Sequence, residues 1–214
     1  MRNIIKFLLE SGLVGGAFSG KTGEYLVRLA RWQIEERLGE KVAPPKKPED
    51  SLLQKNMGAF VTLHAFKPRE LRGCIGYIEP IMPLEKTVRE CALHSAFGDS
   101  RFMPLEKSEL SNTVVEVSVL TLPEIIEVKS PKEYLKKIEI GKDGLVLEAG
   151  HYRGVFLPQV PVEQKWNVEE YLCELCGKAG ADADCWLAQD VKVYKFQTHI
   201  FSEEKPNGKV MKES

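Results

Sequence analysis

The chain has 214 residues, of which 43% are apolar and 29% are charged, and its 30 basic and 31 acidic side chains leave a formal net charge of −1. This composition is typical of a folded globular protein and excludes a disordered, collagen-like or coiled-coil chain. The balanced charge also argues against a protein that holds nucleic acid by bulk electrostatic attraction, because such proteins carry a basic excess.

Gly23–Gly39 is the first predicted helix, since its apolar residues recur at steps of three and four and a glycine ends the pattern. The proline- and lysine-rich stretch Val42–Asp50 predicts a surface connector. The apolar period then changes to two, which predicts strands over Gly58–Phe66 and Leu71–Ile78. The short proline-containing turn between them indicates a β-hairpin.

The turn length also predicts the pairing of this hairpin, because turn length fixes register. A four-residue turn places Phe66 opposite Leu71, and counting back places Leu63 opposite Cys74. His64 then faces away from Cys74 and cannot act as its base.

The remaining predicted elements give the fold class. Helices alternate with strands that come in hairpins, which indicates an α+β protein with a mostly antiparallel sheet and packed helices. The elements are a helix from Pro83 to Gly98, a strand Thr113–Leu122, a short helix Ser130–Ile138, a hairpin Gly144–Ala149 with Gly154–Leu157, a helix from Asn167 to Gly180, and a strand Val191–Phe201. We expect one domain over residues 1–202 and a frayed polar tail over residues 203–214.

The start of the chain and its cysteines predict a cytoplasmic protein. The apolar stretch Met1–Val14 is interrupted by charged residues and is shorter than the about 20 residues that span a bilayer, so we expect neither a membrane segment nor a secretory signal. Five cysteines at irregular spacing do not suggest a disulfide framework, so we expect reduced thiols. They are Cys74, Cys91, Cys173, Cys176 and Cys185.

Two short motifs suggest chemistry that their surroundings do not favour. Gly15–Thr22 satisfies the phosphate-loop pattern, but no uninterrupted buried strand precedes it and no later strand ends in an aspartate suited to magnesium. We interpret it as a flexible lead-in to a helix, with nucleotide binding as the weaker alternative. Cys173, Cys176 and Cys185 provide three sulfurs where zinc requires four ligands. We expect Cys173 and Cys176 to pack on a helix and to bind no metal.

The segment around Cys74 is the main candidate site. Arg72, Cys74 and Gly76 alternate along a strand and share one face, and a guanidinium two residues from a thiol favours the thiolate. Gly73 and Gly76 leave room for a ligand or for another backbone. A reactive thiol and a buried packing cysteine both remain open interpretations of this segment.

Two further segments carry polar candidates. Gln159, Glu163 and Trp166 follow a strand that enters a proline-interrupted loop, which is suited to a pocket wall with Glu163 as an acid or base. The alternative is that the amide and the acid satisfy loop backbone groups. Asp99 and Arg101 follow a helix, either as ligand-binding residues or as a surface ion pair that holds the loop.

Four motifs, in this order and spacing, resemble the AMMECR-one domain family, also called the AMME syndrome candidate protein family. They are Arg72-Gly73-Cys74-Ile75-Gly76, Asp99-Ser100-Arg101-Phe102, Phe156-Leu157-Pro158-Gln159-Val160 and Cys176-Gly177-Lys178-Ala179-Gly180. The resemblance covers about residues 20 to 202, although Ser100 and Met103 replace prolines that are usual in that loop. It implies one α+β domain with two sub-lobes around a cleft, and partners among Memo-like and radical SAM proteins in a modification pathway.

The residues and the resemblance together predict a thiol-centred site. Cys74 is the expected nucleophile, Arg72 the thiolate stabiliser and Glu163 the acid or base, in an enzyme or enzyme component that acts on a small or peptide-borne substrate. Substrate contacts are expected from Gly73, Gly76, Asp99, Arg101, Gln159 and Trp166. The sequence assigns no cofactor and no metal. The alternative function is a non-catalytic module that binds protein or nucleic acid.

Overall fold

The computed structural model describes residues 18–213, which contain five α-helices and nine β-strands. The helices are α1 (Gly20–Arg37), α2 (Leu84–Phe97), α3 (Tyr134–Lys137), α4 (Gln159–Gln164) and α5 (Val168–Ala179). The strands are β1 (Ala59–Ala65), β2 (Glu70–Tyr77), β3 (Thr113–Leu120), β4 (Glu124–Ile125), β5 (Gly144–Ala149), β6 (Tyr152–Phe156), β7 (Lys192–Phe196), β8 (Thr198–Glu203) and β9 (Val210–Glu213). Short 3₁₀ turns occupy Ser51–Gln54, Lys107–Asn112, Pro131–Glu133 and Cys185–Leu187.

The chain forms two compact units, each with its own sheet. Among the described residues, the first unit comprises 18–120 and 199–213, and the second comprises Thr121–Thr198. The strand order is β2-β1-β3-β8-β9 in the sheet of the first unit and β4-β7-β5-β6 in that of the second. Helices packed on mostly antiparallel sheets confirm the predicted α+β class.

Each unit has its own apolar core, on the face of its sheet that the helices cover. In the first unit α1 and α2 pack against β1 and β3, with side chains such as Leu29, Val88 and Val117 fully buried. In the second unit α5 packs against β5 and β6, with Leu147 and Leu172 at the centre. None of the helices within residues 18–213 is long and apolar enough to cross a membrane.

Local sequence signals account for the ends of the long helices. Helix α1 begins three residues before the predicted Gly23, because the Ser19 hydroxyl accepts a hydrogen bond from the Thr22 amide at 3.1 Å and caps the helix. Helix α5 follows the prediction, with Asn167 in a capping box at its start and Gly180 at φ 85° after its end.

The β1–β2 hairpin forms as predicted, but its register differs. Thr62, not Leu63, lies opposite Cys74, and the pairing shifts between Leu63 and His64. The shift is a β-bulge in which β2 carries Arg72 as an extra residue between the partners of Leu63 and His64. The predicted register is therefore wrong for two reasons. Strand β1 ends at Ala65 opposite Glu70, not at Phe66 opposite Leu71, and the bulge at Arg72 then shifts the pairing by one residue, which reverses the face on which Cys74 lies.

The corrected register also overturns the prediction for His64. Side chains two residues apart on a strand share a face, and directly opposed residues share it too. His64 is two residues from Thr62, and Thr62 faces Cys74. His64 and Cys74 therefore lie on the same face of the sheet, the one opposite the helices.

The two ends of β8 differ from the sequence prediction. The expected strand Val191–Phe201 is split at Gln197, whose amide and carbonyl both bond to Thr121. The expected frayed tail contains β9, which pairs with β8 from Glu203 opposite Val210 to Ile200 opposite Glu213. A polar composition concealed this strand because β9 is an edge strand with a largely exposed surface.

One cysteine prediction is confirmed and another is wrong. Cys173 and Cys176 both lie on α5, as expected. Cys176, however, forms a disulfide with Cys185. The chain reverses after α5 at Gly180, in the left-handed conformation, and brings the two Cα atoms to 6.0 Å, which is normal for a disulfide. An odd cysteine count could not reveal this pair, because it depends on the loop geometry.

Candidate functional site

Cys74 lies on β2, which is an edge strand of the first unit's sheet. Its thiol is free and half-buried. The Thr62 hydroxyl, directly opposite on β1, donates a hydrogen bond to Cys74 Sγ at 3.3 Å. Sequence reasoning missed Thr62 because the wrong register placed Leu63 opposite the thiol.

The loop after α2 binds the backbone of Cys74. The Cys74 amide donates to Asp99 Oδ2 at 2.9 Å, and the Arg101 guanidinium donates to the Cys74 carbonyl at 3.2 Å. These main-chain groups point away from β1, as at a non-hydrogen-bonded pair of an antiparallel ladder. Asp99 and Arg101 thus satisfy the exposed edge of β2 at this residue as a further strand would.

Asp99 and Arg101 also form a strong ion pair. Their closest atoms are 2.7 Å apart, with the Asp99 side chain 4% exposed and the Arg101 side chain 54% exposed. The Arg101 guanidinium, assisted by the amides of Cys74 and Arg101, holds the pKa of the Asp99 carboxyl well below its usual value, against the opposing effect of burial. Asp99 raises the pKa of Arg101, and the Cys74 thiol adds a smaller contribution in the same direction. Arg101 therefore binds both the Asp99 carboxylate and the Cys74 carbonyl.

Arg72 has a different primary partner. Its Nε and terminal nitrogen donate to the two Glu109 oxygens at 2.7 and 3.0 Å, a bidentate pair that lowers the pKa of Glu109. The guanidinium groups of Arg72 and Arg101 lie 5.8 and 5.5 Å from the centre of the Phe102 ring. The role of Arg72 as thiolate stabiliser stays a prediction, and its charge is largely balanced by Glu109.

Packing explains the two glycines expected to contact substrate. A Cβ at Gly73 would lie 2.1 Å from the Ser95 carbonyl oxygen of α2, on the core side of the sheet. A Cβ at Gly76 would lie 2.2 Å from the ring of Phe60, its cross-strand partner. Close packing against protein atoms thus accounts for both glycines, and their substrate contacts stay predictions.

The face of the sheet that carries Cys74 holds a second polar group. Glu116 on β3 lies opposite Thr62, and its carboxylate is 3.6 Å from His64 Nε2 and 3.8 Å from Arg69. Arg69 also donates to the Ser202 hydroxyl at 3.3 Å. Residue alternation along β1 could have identified His64 as a candidate, had the register been correct.

The other predicted site residues belong to the second unit. Gln159 and Glu163 are exposed on α4, a short helix where the sequence suggested a loop. The Trp166 ring contacts Phe156 and stacks on Tyr171, with ring centres 5.5 and 6.4 Å apart. The substrate contacts of these residues, and the acid or base role of Glu163, stay predictions.

The phosphate-loop motif lies only in part within the described residues, since residues 15–17 fall outside them. At the start of α1 the Thr22 hydroxyl donates to the Asp50 carboxylate, and Ser19 caps the helix. Both border an open cavity of about 670 Å³ whose lining mixes lysines with acidic residues. A carboxylate already bound beside the helix start opposes the binding of a phosphate there.

Comparisons with known proteins identify close relatives. The AMMECR1 family model matches residues 27–201. Protein MJ0810 of Methanocaldococcus jannaschii is 52% identical over 190 residues, which is 88% of this chain and 94% of that protein. Protein PF1979 of Pyrococcus furiosus is 53% identical over 193 residues, 88% and 91% of the two chains. The crystal structure of an uncharacterised protein, PH0010 of Pyrococcus horikoshii, matches with a TM-score of 0.74 and 49% identity, covering 92% of this chain and 98% of that one.

Proposed function

This chain belongs to the AMMECR1 family, and we propose that its first unit carries a thiol-centred site in which Cys74 is the nucleophile of an enzyme or enzyme component. The observation that carries this proposal is the surroundings of Cys74. The thiol is partly accessible, accepts a hydrogen bond from Thr62 and lies on a backbone held by Asp99 and Arg101. The contacts of Asp99 and Arg101 hold the Cys74 backbone in place and so position the sulfur. A nucleophile requires preorganisation of this kind.

In this proposal Arg101 has the role that the sequence suggested for Arg72. Both guanidinium groups pair with a carboxylate, Arg72 with Glu109 and Arg101 with Asp99, and Arg101 also donates to the Cys74 carbonyl. A nearby positive charge favours the thiolate over the thiol. The proposal also keeps three interpretations made from the residues alone, which are Glu163 as acid or base, a small or peptide-borne substrate and a cytoplasmic location. Cooperation with Memo-like and radical SAM proteins is proposed on the strength of the family resemblance.

The competing function is a non-catalytic binding module. It is favoured by the arrangement of Phe102, whose ring has the guanidinium groups of Arg72 and Arg101 within 5.8 and 5.5 Å of its centre. An aromatic ring with flanking cations is a surface that binds anionic protein segments or nucleic-acid bases. In this function the thiol of Cys74 has no chemical task.

Alkylation by iodoacetamide separates the two functions. In this reaction the sulfur loses its proton and bonds to carbon while the carbon–iodine bond breaks and iodide leaves. An ordinary thiol is about 3% thiolate at pH 7, so complete activation increases the rate by at most about 30-fold. We expect Cys74 to react about tenfold faster than Cys173, the other half-buried free thiol. Cys91 is an internal negative control, because burial raises its pKa to about 12.

Variants complete the test of the cation. Arg101→Ala should slow the alkylation of Cys74 several-fold, whereas Arg37→Ala, at an exposed position of α1, should leave the rate unchanged. Peptide mass spectrometry resolves the individual cysteines. If Cys74 reacts no faster than Cys173 in the wild-type protein, the enzyme proposal fails and the binding module remains.

A further inference from the structure

Three neighbouring strands of the first unit each present a residue of the kind found in nucleophile–base–carboxylate sites. The strand order β2-β1-β3 places Cys74, His64 and Glu116 on adjacent strands. The registers place all three on the same face, because Thr62 lies opposite both Cys74 and Glu116, and His64 is two residues along β1 from Thr62. The thiol, the imidazole and the carboxylate thus follow one another across the sheet.

The spacing across the sheet allows His64 to reach Cys74. Diagonal neighbours on adjacent antiparallel strands are about 7–8 Å apart, which is within reach of a ring side chain. Thr62, which is directly opposite Cys74 and two residues before His64 on β1, donates a hydrogen bond to Cys74 Sγ. His64 and Cys74 are therefore diagonal neighbours on one face, at a separation that their side chains can span.

Glu116 determines which nitrogen of His64 is available. Its carboxylate lies 3.6 Å from Nε2. A carboxylate beside one ring nitrogen favours the proton on that nitrogen and leaves the other with a free lone pair. The contact with Glu116 thus leaves Nδ1 as the ring nitrogen that can accept a proton. The charged groups that face His64 from neighbouring elements are Glu116 and Arg69, which lies 3.8 Å from the same carboxylate.

We propose that His64 accepts the proton of Cys74 and that Glu116 positions His64 for this transfer. The inference rests on the proposed nucleophilic role of Cys74. The proton passes from Sγ to Nδ1 of His64, and the electron pair of the S–H bond stays on sulfur. That pair then forms the bond to an electrophilic carbon of the substrate, whose leaving group departs with its own bonding pair. The imidazolium afterwards releases its proton to water or to the leaving group.

The rate of Cys74 alkylation as a function of pH tests this assignment. At about pH 7 we expect His64→Gln to lower the rate about tenfold and Glu116→Gln to lower it by a smaller factor. Above about pH 9.5 thiols ionise without assistance, so the curves of the wild-type and variant proteins should converge. A purely structural effect of the substitution would not produce a difference confined to neutral pH.

Controls keep the two proposals distinguishable. His151→Gln, at an exposed turn of the second unit, should give the wild-type curve, and His64→Asn repeats the test should the glutamine variant fail to fold. Cys173 is measured in every sample as the reference thiol. A fast Cys74 with superimposable curves in wild type and His64→Gln overturns the assignment of His64 and leaves the nucleophile proposal standing. A Cys74 no faster than Cys173 in wild type overturns both.

Discussion

The buried ion pair between Arg31 and Glu203 should be the most sensitive polar contact in the first unit. Glu203, at the end of β8, has a side chain with 0% exposure, and Arg31 on α1 has 4%. The carboxylate accepts from Arg31 Nε at 2.6 Å and from the Val115 amide of β3 at 3.1 Å. Arg31 in turn donates to the Thr113 carbonyl at 2.6 Å. The Glu203 side chain, on β8, therefore connects this strand to α1 and β3.

We expect Glu203→Ala to reduce the free energy of unfolding by about 3–5 kcal/mol, which is the usual result of removing one partner of a buried pair. The variant leaves a guanidinium charge and the Val115 amide buried without their acceptor. Against a total stability of about 5–15 kcal/mol this is a large loss. With an m-value of about 2–3 kcal/mol per molar urea, the unfolding midpoint should fall by about 1–2.5 M.

Two matched variants make this prediction specific. Glu204→Ala removes the neighbouring exposed carboxylate and should change the free energy by less than about 0.5 kcal/mol. Replacing both partners, as Arg31→Met with Glu203→Leu, removes the stranded charge and should recover most of the loss. A loss below about 1 kcal/mol for Glu203→Ala in urea denaturation would show that water or a rearranged side chain compensates the charge, and would refute the reasoning.

Three further predictions concern other parts of the structure. Asp99→Asn should cost about 1–3 kcal/mol at neutral pH. Because the folded-state pKa of Asp99 is depressed, its contribution is complete well above the unfolded-state value of about 4 and is lost progressively as the pH falls towards the folded-state pKa. The difference between the urea curves of the two proteins should therefore begin to shrink below about pH 4. Gly73→Ala should lower the free energy of unfolding by about 1–3 kcal/mol, because the added methyl group meets a carbonyl of α2. Gly177→Ala has open space around it and should be neutral or stabilising. Equal effects of the two substitutions in thermal melts would contradict the packing argument. Cys185→Ser should lower the free energy of unfolding by about 2–3 kcal/mol, because it removes the disulfide with Cys176. It should also abolish the effect of a reducing agent on the melting temperature. A wild-type melting temperature that does not change with reductant would argue against this disulfide.

Much of the fold could be predicted from the sequence because it depends on neighbours along the chain. The spacing of Leu26, Leu29 and Ile34 predicts the buried face of α1, and the structure buries all three. Asn167 and Gly180 predict the limits of α5, since a cap and a left-handed glycine act within one turn of the helix. The same locality explains why the residue types around Cys74 could be recognised as a candidate site.

The composition of that site depended on contacts between residues far apart in sequence. A single extra residue at Arg72 shifted the hairpin register, so Thr62 and His64, and not Leu63, share the face of Cys74. Arg72 and Arg101 both pair with a carboxylate, but the fold brings Arg101, 27 residues away in sequence, to the Cys74 carbonyl.

The sequence by itself therefore determined the elements, their buried faces and the family, because helix period, strand alternation and capping are short-range properties of the chain. Only the tertiary structure decided the hairpin register, the Cys176–Cys185 disulfide, the strand Val210–Glu213 and the burial of Glu203. Each of these joins segments whose mutual approach is set by the packing of the whole unit. A charged residue such as Glu203 resembles any surface acid until its buried partner is known, because burial and pairing are properties of the folded chain and not of the residue.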